Sequence, residues 1–232
     1  NHQIARAAGT VMVAYILSNL AGLLAKTLTA RSFGTGAESE AFYAANRFSE
    51  ILFNLVAGGA LGSAFIPTFT RFLVKKDQEG AWELASAIIN WVLLILTIFS
   101  ILSMIFARQI VHFILAPGFS SVSIEKELLT TKLLRIQIPS AIIFGLSGLV
   151  MGILNAHQHF FVSALAPGMY QLGWIFGVLM LAPHYGVFGL SYGILLGACF
   201  HLLVQVPMLL RLPQFHLKKG FGRGNPAVRE VA

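Results

Sequence analysis

The sequence predicts an all-α fold, a polytopic membrane bundle of six transmembrane helices, on three observations. Of 232 residues, 56% are hydrophobic and only 11% charged, and the mean hydropathy is +0.77. Soluble domains carry roughly 25% charged residues, so a bilayer is the simplest solvent for this surface. Apolar stretches recur six times, each beyond the ~20 residues that cross a hydrocarbon core of ~30 Å. Barrel strands need only ~9–11 residues of alternating polarity. Lipid also leaves the backbone no partner but itself, which selects helices.

The six stretches run over residues 11–33, 42–72, 84–106, 128–154, 160–181 and 187–210. A Gly-rich turn, "GTGAESE", separates the first two. The basic "RFLVKKDQEG" follows the second. The third connection, 107–127, is long enough for a short amphipathic helix before Pro117-Gly118. The last two connections are the short "NAHQHF" and "APHYG". Pro67, Pro139 and Pro167 are expected at helix ends or kinks, because proline removes a backbone donor and crowds the preceding turn. Within the second stretch, Gly58, Gly59 and Gly62 form a small-residue run suited to close helix packing or to bending.

Basic residues set the expected orientation. With the N-terminus inside, the inner segments hold Arg6, then Arg71, Lys75 and Lys76, then Arg211, Lys218, Lys219, Arg223 and Arg229. The outer loops hold only Arg108 and Lys126. The positive-inside rule then places both ends in the cytoplasm. The net charge of +7 reads as orientation within a membrane class, with no nucleic-acid partner expected. Residues 1–212 form the expected transmembrane lobe. Residues 213–232, polar, Gly-rich and basic, are expected to be a cytoplasmic linker toward a second lobe of a longer chain. Cys199 has no cysteine to pair with and is expected to be a buried thiol.

Charge inside the membrane marks function by default. Arg47 and Glu50 lie three apart on one face of the second helix, with Glu40 near its outer end. Lys26 lies in the outer half of the first helix, and Asn19, Asn46 and Asn54 add polar groups. The expected substrate-binding set is Arg47, Lys26, Glu40, Glu50, Asn19 and Asn54. A guanidinium and an ammonium in a wet cavity suit an anion such as a phosphate or pyrophosphate. No metal ligand set and no cofactor is expected, and a coupling ion is left open.

Four segments carry a family resemblance. "AGLLAKTLTARSFGTGAESEAFYAANRF" with "GGALGSAFIPTF" resembles the opening of the MurJ/MviN proteins, the lipid II flippases of the MOP exporter superfamily. "GILNAHQHFFVSALAPGMYQLGWI" resembles the family's L-N-A and A-x-A-P segment, and "LLVQVPMLLR" its sixth-helix ending. The resemblance covers essentially the whole chain. It implies one lobe of a MOP-type transporter that flips the undecaprenyl-pyrophosphate-linked peptidoglycan precursor across the inner membrane by alternating access. It implies membrane lipids, that precursor and a second lobe of the same chain as partners. The family's basic residue early in the second helix falls on Arg47, and its first-turn acid on Glu40. Two first-helix arginines fall on Asn19 and Ala25, beside Lys26. A further arginine falls near Phe53 and Asn54, and the asparagine after A-x-A-P falls on Gln171. A MOP-type exporter of another lipid-linked saccharide or of drugs is the alternative.

An enzyme reading rests on "GLSG" (145–148) and His201, the Ser–His minimum of an intramembrane serine protease. Against it, the second helix has no histidine, and Ser147 and His201 are expected to bond locally. His157 and His159 form an H-x-H, expected in a solvated loop. There is no P-loop pattern, so the membrane potential or an ion gradient would supply energy.

Overall fold

The computed structural model describes residues 2–54, 64–119, 123–218, 220–222 and 224–231. The small-residue run at Gly58, Gly59 and Gly62 lies outside the described residues. Every regular element among those described is helical. In chain order they are α1 (His2–Phe33), α2 (Ala37–Phe53), α3 (Ile66–Val74), α4 (Gln78–Ile105) and α5 (Ala107–Ile110), which continues as a π turn over Val111–Leu115. Then come α6 (Ile124–Gln137), α7 (Pro139–Ala156) and α8 (Phe160–Phe176, with a π turn over Gly177–Leu181). The last are α9 (Ala182–Tyr185), α10 (Val187–Leu203), α11 (Val206–Leu209) and α12 (Pro226–Val231).

Five spans among the described residues are long and apolar enough to cross a membrane: Gly9–Phe33, Gln78–Ile105, Ile124–Ala156, Phe160–Tyr185 and Val187–Leu209. The remaining expected stretch, 42–72, corresponds to α2 and α3. The prolines punctuate as expected. Pro67 and Pro139 open α3 and α7, where a missing N–H costs nothing, and Pro167 sits inside α8. The "GTGAESE" turn needs Gly34 at φ +63°, a conformation that costs glycine little. Glu38 and Glu40 then fall in the first turn of α2, where the helix dipole favours acids.

Packing is uneven. α1 buries one narrow stripe, including Ala14, Ser18, Ala25 and Thr29, against α8, and leaves Met12, Leu17, Leu20 and Leu23 exposed. Such an apolar surface needs lipid or further protein to cover it. At the opposite extreme, α8 and α10 meet backbone to backbone. A Cβ placed on Gly193 would lie 2.6 Å from the Cα of Gly177, and one on Gly197 would lie 2.5 Å from the Tyr170 carbonyl oxygen. With Gly189, these residues recur every fourth position along one face of α10, the small-xxx-small pattern of close membrane-helix packing.

Two hydrophobic clusters divide the lobe along its length. One joins α2, α6, α8 and α10 around Phe42, Leu134, Trp174 and Ile194. The other joins α3, α4, α7 and α12 around Phe69, Trp82, Ile153 and Val228. Between them on α7 and α10 lies a buried polar seam. Ser147 Oγ is 2.6 Å from His201 Nδ1, and Gln205 Nε2 donates to Ser147 Oγ at 2.7 Å.

Residues 213–231, where described, run back along α4. The Trp82 indole donates to the Pro213 carbonyl (3.1 Å), Asn90 Nδ2 to that of Gly220 (2.7 Å) and the Trp91 indole to that of Phe221 (3.0 Å). The Lys218 N–H donates to Ser86 Oγ (3.0 Å). Lys218 also pairs with Glu79 at 2.7 Å, which raises its pKa. Arg71 on α3 pairs with Glu230 on α12. The tail therefore straps α3 and α4 together at the end where "RFLVKK" lies.

Two expectations about local surroundings are corrected. His157 is partly buried, capping α7 with its ring among Phe69 and Trp82, centroids 5.7 and 6.3 Å away. It is held by the aromatic cluster, which the H-x-H spelling does not reveal. Cys199 is only partly buried.

Candidate substrate site on the open face of α2

α2 buries Ala41, Phe42, Ala45, Phe48, Ser49 and Leu52 against its neighbours. The residues between them, Glu40, Tyr43, Arg47, Glu50, Ile51 and Asn54, are exposed. They recur at steps of three and four, so they share one face. The fold thus turns the charged stripe of α2 away from the lobe's own core.

Arg47 and Glu50 pair loosely, at 3.8 Å, with side chains 71% and 46% exposed. Asn46, buried beside them, donates Nδ2 to Glu50 Oε1 at 3.0 Å. Glu50 also lines a cavity of about 200 Å³ with Ser49, Phe144, Pro167, Tyr170, Gln171 and His201. The cavity walls come from α2, α7, α8 and α10. Gln171 Oε1 is buried there with no hydrogen-bond partner among the described residues. A Cβ on Gly22 of α1 would lie 3.2 Å from this amide, so α1 closes over it.

The other expected site residues scatter. Glu40 forms its ion pair with Lys126 of α6, and so belongs to the end of the lobe where α2 and α6 begin. There Lys126 also lies over the Phe119 ring. Asn19 is exposed and donates to the Tyr15 carbonyl of its own helix at 3.0 Å. Asn54 is exposed and caps α2. Lys26 is exposed, whereas Ala25 is fully buried beside Ala41 and Phe42. Neighbouring helix positions point ~100° apart, so Lys26 cannot take the direction of Ala25. The sequence reading missed Ser49 and Tyr170 as lining residues, and weighed His201 only as half of a protease pair. The signal was present, since polar side chains inside apolar spans are costly.

Ser147 and His201 do meet, as the protease reading requires. However, Ser147 is fully buried and its hydroxyl is engaged by both His201 and Gln205. The pair is structural glue between α7, α10 and α11. No group of three or more His, Cys, Asp or Glu suited to a metal occurs among the described residues.

The solved structure of lipid II flippase MurJ in an inward closed conformation superposes with a TM-score of 0.75 and 26% identity, over 95% of this chain and 45% of that one. A MOP superfamily transporter from Pyrococcus furiosus (TM-score 0.68, 17% identity) and a MATE structure (0.70, 18%) share the fold. The chain thus has the fold of one part of the solved MurJ structure.

The family model described as lipid II flippase MurJ matches residues 29–232. The probable lipid II flippase MurJ of Buchnera aphidicola subsp. Schizaphis graminum is 30% identical over 205 residues, covering 88% of this chain and 40% of that protein. The lipid II flippase MurJ of Burkholderia cenocepacia is 31% identical over 212 residues, covering 89% and 40%. The chain belongs to the MurJ family, a family of flippases and not of enzymes, and spans about 40% of the length of these relatives.

Proposed function

We propose that the full-length protein flips an undecaprenyl-pyrophosphate-linked peptidoglycan precursor across the bacterial cytoplasmic membrane by alternating access. This chain supplies one wall of the central cavity, and a second lobe supplies the other. The observation that carries the reading is the open face of α2, where a guanidinium in a loose, exposed ion pair stands among apolar spans. Arg47 contacts the pyrophosphate, Glu50 holds Arg47 between cycles, and Lys26 adds positive charge from α1. Asn19 and Asn54 offer polar contacts to the head group, and Glu40 acts at the outer rim through Lys126. Both ends of the lobe face the cytoplasm. The tail docks where Arg71, Lys75 and Lys76 lie, so the basic residues gather at one end, in keeping with the positive-inside rule.

A second reading, export of another lipid-linked saccharide, draws on Asn19 and Ala25 standing where the family resemblance expects arginines. The test uses cells depleted of their own flippase and supplied with the full-length protein. The readout is whether the precursor becomes accessible to an outside-acting toxin that cleaves it. Restored accessibility is expected. Continued protection with the protein stably inserted would overturn this substrate in favour of the second reading.

A further inference from the structure

We infer that Tyr43 is the saccharide contact of this lobe: its ring stacks on the first sugar of the head group while Arg47, one helical turn away, holds the pyrophosphate. This deepens the proposed function and rests on it, because it names what must be joined to the pyrophosphate.

Along the open face of α2 the stripe reads Glu40, Tyr43, Arg47. A helix rises 1.5 Å per residue, so Tyr43 lies about 6 Å from Arg47 along the axis and about 4.5 Å from Glu40. In a pyrophosphate-linked saccharide the first ring is bonded to the phosphate through a single oxygen. The sugar must therefore begin close to whatever holds the phosphate, and Tyr43 is the aromatic side chain that stands there.

Tyr43 is 39% exposed, yet it is held from behind. The Phe42 ring meets it edge-on with centroids 5.4 Å apart, and Trp174 of α8 lies tilted against it at 6.3 Å. Trp174 is itself fixed, buried and donating its indole N–H to Thr29 of α1 at 3.1 Å. A ring already anchored in this way loses little further freedom when a ligand covers its open side. Lipid does not explain the exposure. The same stripe carries Glu40, Arg47 and Glu50, and charges are costly against a hydrocarbon core.

A sugar suits this stripe chemically. A pyranose has an apolar C–H face and a rim of hydroxyls. The tyrosine ring covers the face, and polar groups beside it satisfy the rim, as in sites that combine aromatic walls with a few placed polar side chains. On one side the rim meets Glu40, whose side chain is 53% exposed, with Lys126 paired to it. On the other side it meets Arg47. An apolar drug would cover the ring and leave these charges unused. Bare undecaprenyl pyrophosphate would engage Arg47 and leave the ring open. The stripe is thus matched to a sugar joined directly to the pyrophosphate.

The experiment measures binding of two probes to the purified full-length protein: undecaprenyl pyrophosphate, and the same lipid carrying the peptidoglycan disaccharide-peptide. Wild type should bind the saccharide-bearing lipid more tightly. Tyr43→Leu should weaken binding of that lipid by about three- to tenfold, the worth of one aromatic contact, and leave undecaprenyl pyrophosphate unchanged. Tyr43→Phe keeps the ring and should match wild type with both probes. An equal change for both probes in Tyr43→Leu, no change for either, or a loss of discrimination in Tyr43→Phe would overturn the stacking and leave the anion contact standing. Equal binding of both probes by wild type would do the same. Binding of neither probe by wild type would overturn the pyrophosphate reading, and the saccharide contact with it. Tyr43→Met, long and apolar but without a ring, supplies the same readout should the leucine variant fail to fold.

Discussion

The seam between α8 and α10 and the open face of α2 sit in the same lobe and obey opposite rules. At the seam, glycines remove every side chain so that two backbones touch, with a Cβ on Gly193 falling 2.6 Å from Gly177. On α2, long charged side chains stand clear of the core and pair at 3.8 Å. The end of the lobe where α6 begins makes the contrast sharper, because it uses the same chemistry as α2 for a structural purpose. There Glu127, with its side chain only 2% exposed, accepts from Arg108 Nε at 3.0 Å and meets His112 Nδ1 at 3.1 Å. A buried, doubly held carboxylate fixes α5 to α6. A half-exposed, loosely held one leaves its arginine available. The difference teaches that burial and partner distance, more than the presence of an ion pair, separate scaffold from site.

Substitutions can break or sharpen this contrast. Gly193→Leu should have the largest effect, since its neighbours are backbone atoms that cannot yield. The cost should exceed the ~1–3 kcal/mol of ordinary overpacking, and folded protein should be lost on size-exclusion chromatography. Arg108→Ala with His112→Ala leaves Glu127 buried without either donor. A loss of about 1–3 kcal/mol is expected, read as a lowered melting temperature of the full-length protein. Trp91→Phe removes one strap of the tail, the bond to the Phe221 carbonyl, for about 0.5–1.5 kcal/mol, with faster proteolysis of the tail as its readout. Arg47→Ala should be the least destabilising, within about 0.5 kcal/mol, yet should abolish transport. A melting temperature for Arg47→Ala as low as that of the Arg108/His112 variant would erase the distinction between the two ion pairs.

The sequence announced the bundle because membrane helices need length and apolarity, and both are local properties. It also announced the charged stripe of α2, since Arg47 and Glu50 share a face at helical spacing. Partner choice was not legible. Glu40 was read toward the cavity, but its ion pair is with Lys126, 86 positions away. Spacing along one helix does not reveal which neighbour lies beyond its end. His201 joined the cavity wall through tertiary packing that no local motif encodes. The Gly189-Gly193-Gly197 seam could have been read, as its four-residue spacing is as plain as that of the run at Gly58, Gly59 and Gly62. The expected linker was judged by polarity alone, which does not show that Trp82, Asn90 and Trp91 would offer donors to its backbone.

The central claim is that Arg47 is the principal anion contact of this lobe. Its most direct test is precursor accessibility to the outside-acting toxin, in flippase-depleted cells expressing full-length protein with Arg47→Ala, at matched membrane levels. The account predicts that wild type restores accessibility and Arg47→Ala does not. Restoration by Arg47→Ala equal to wild type would contradict it.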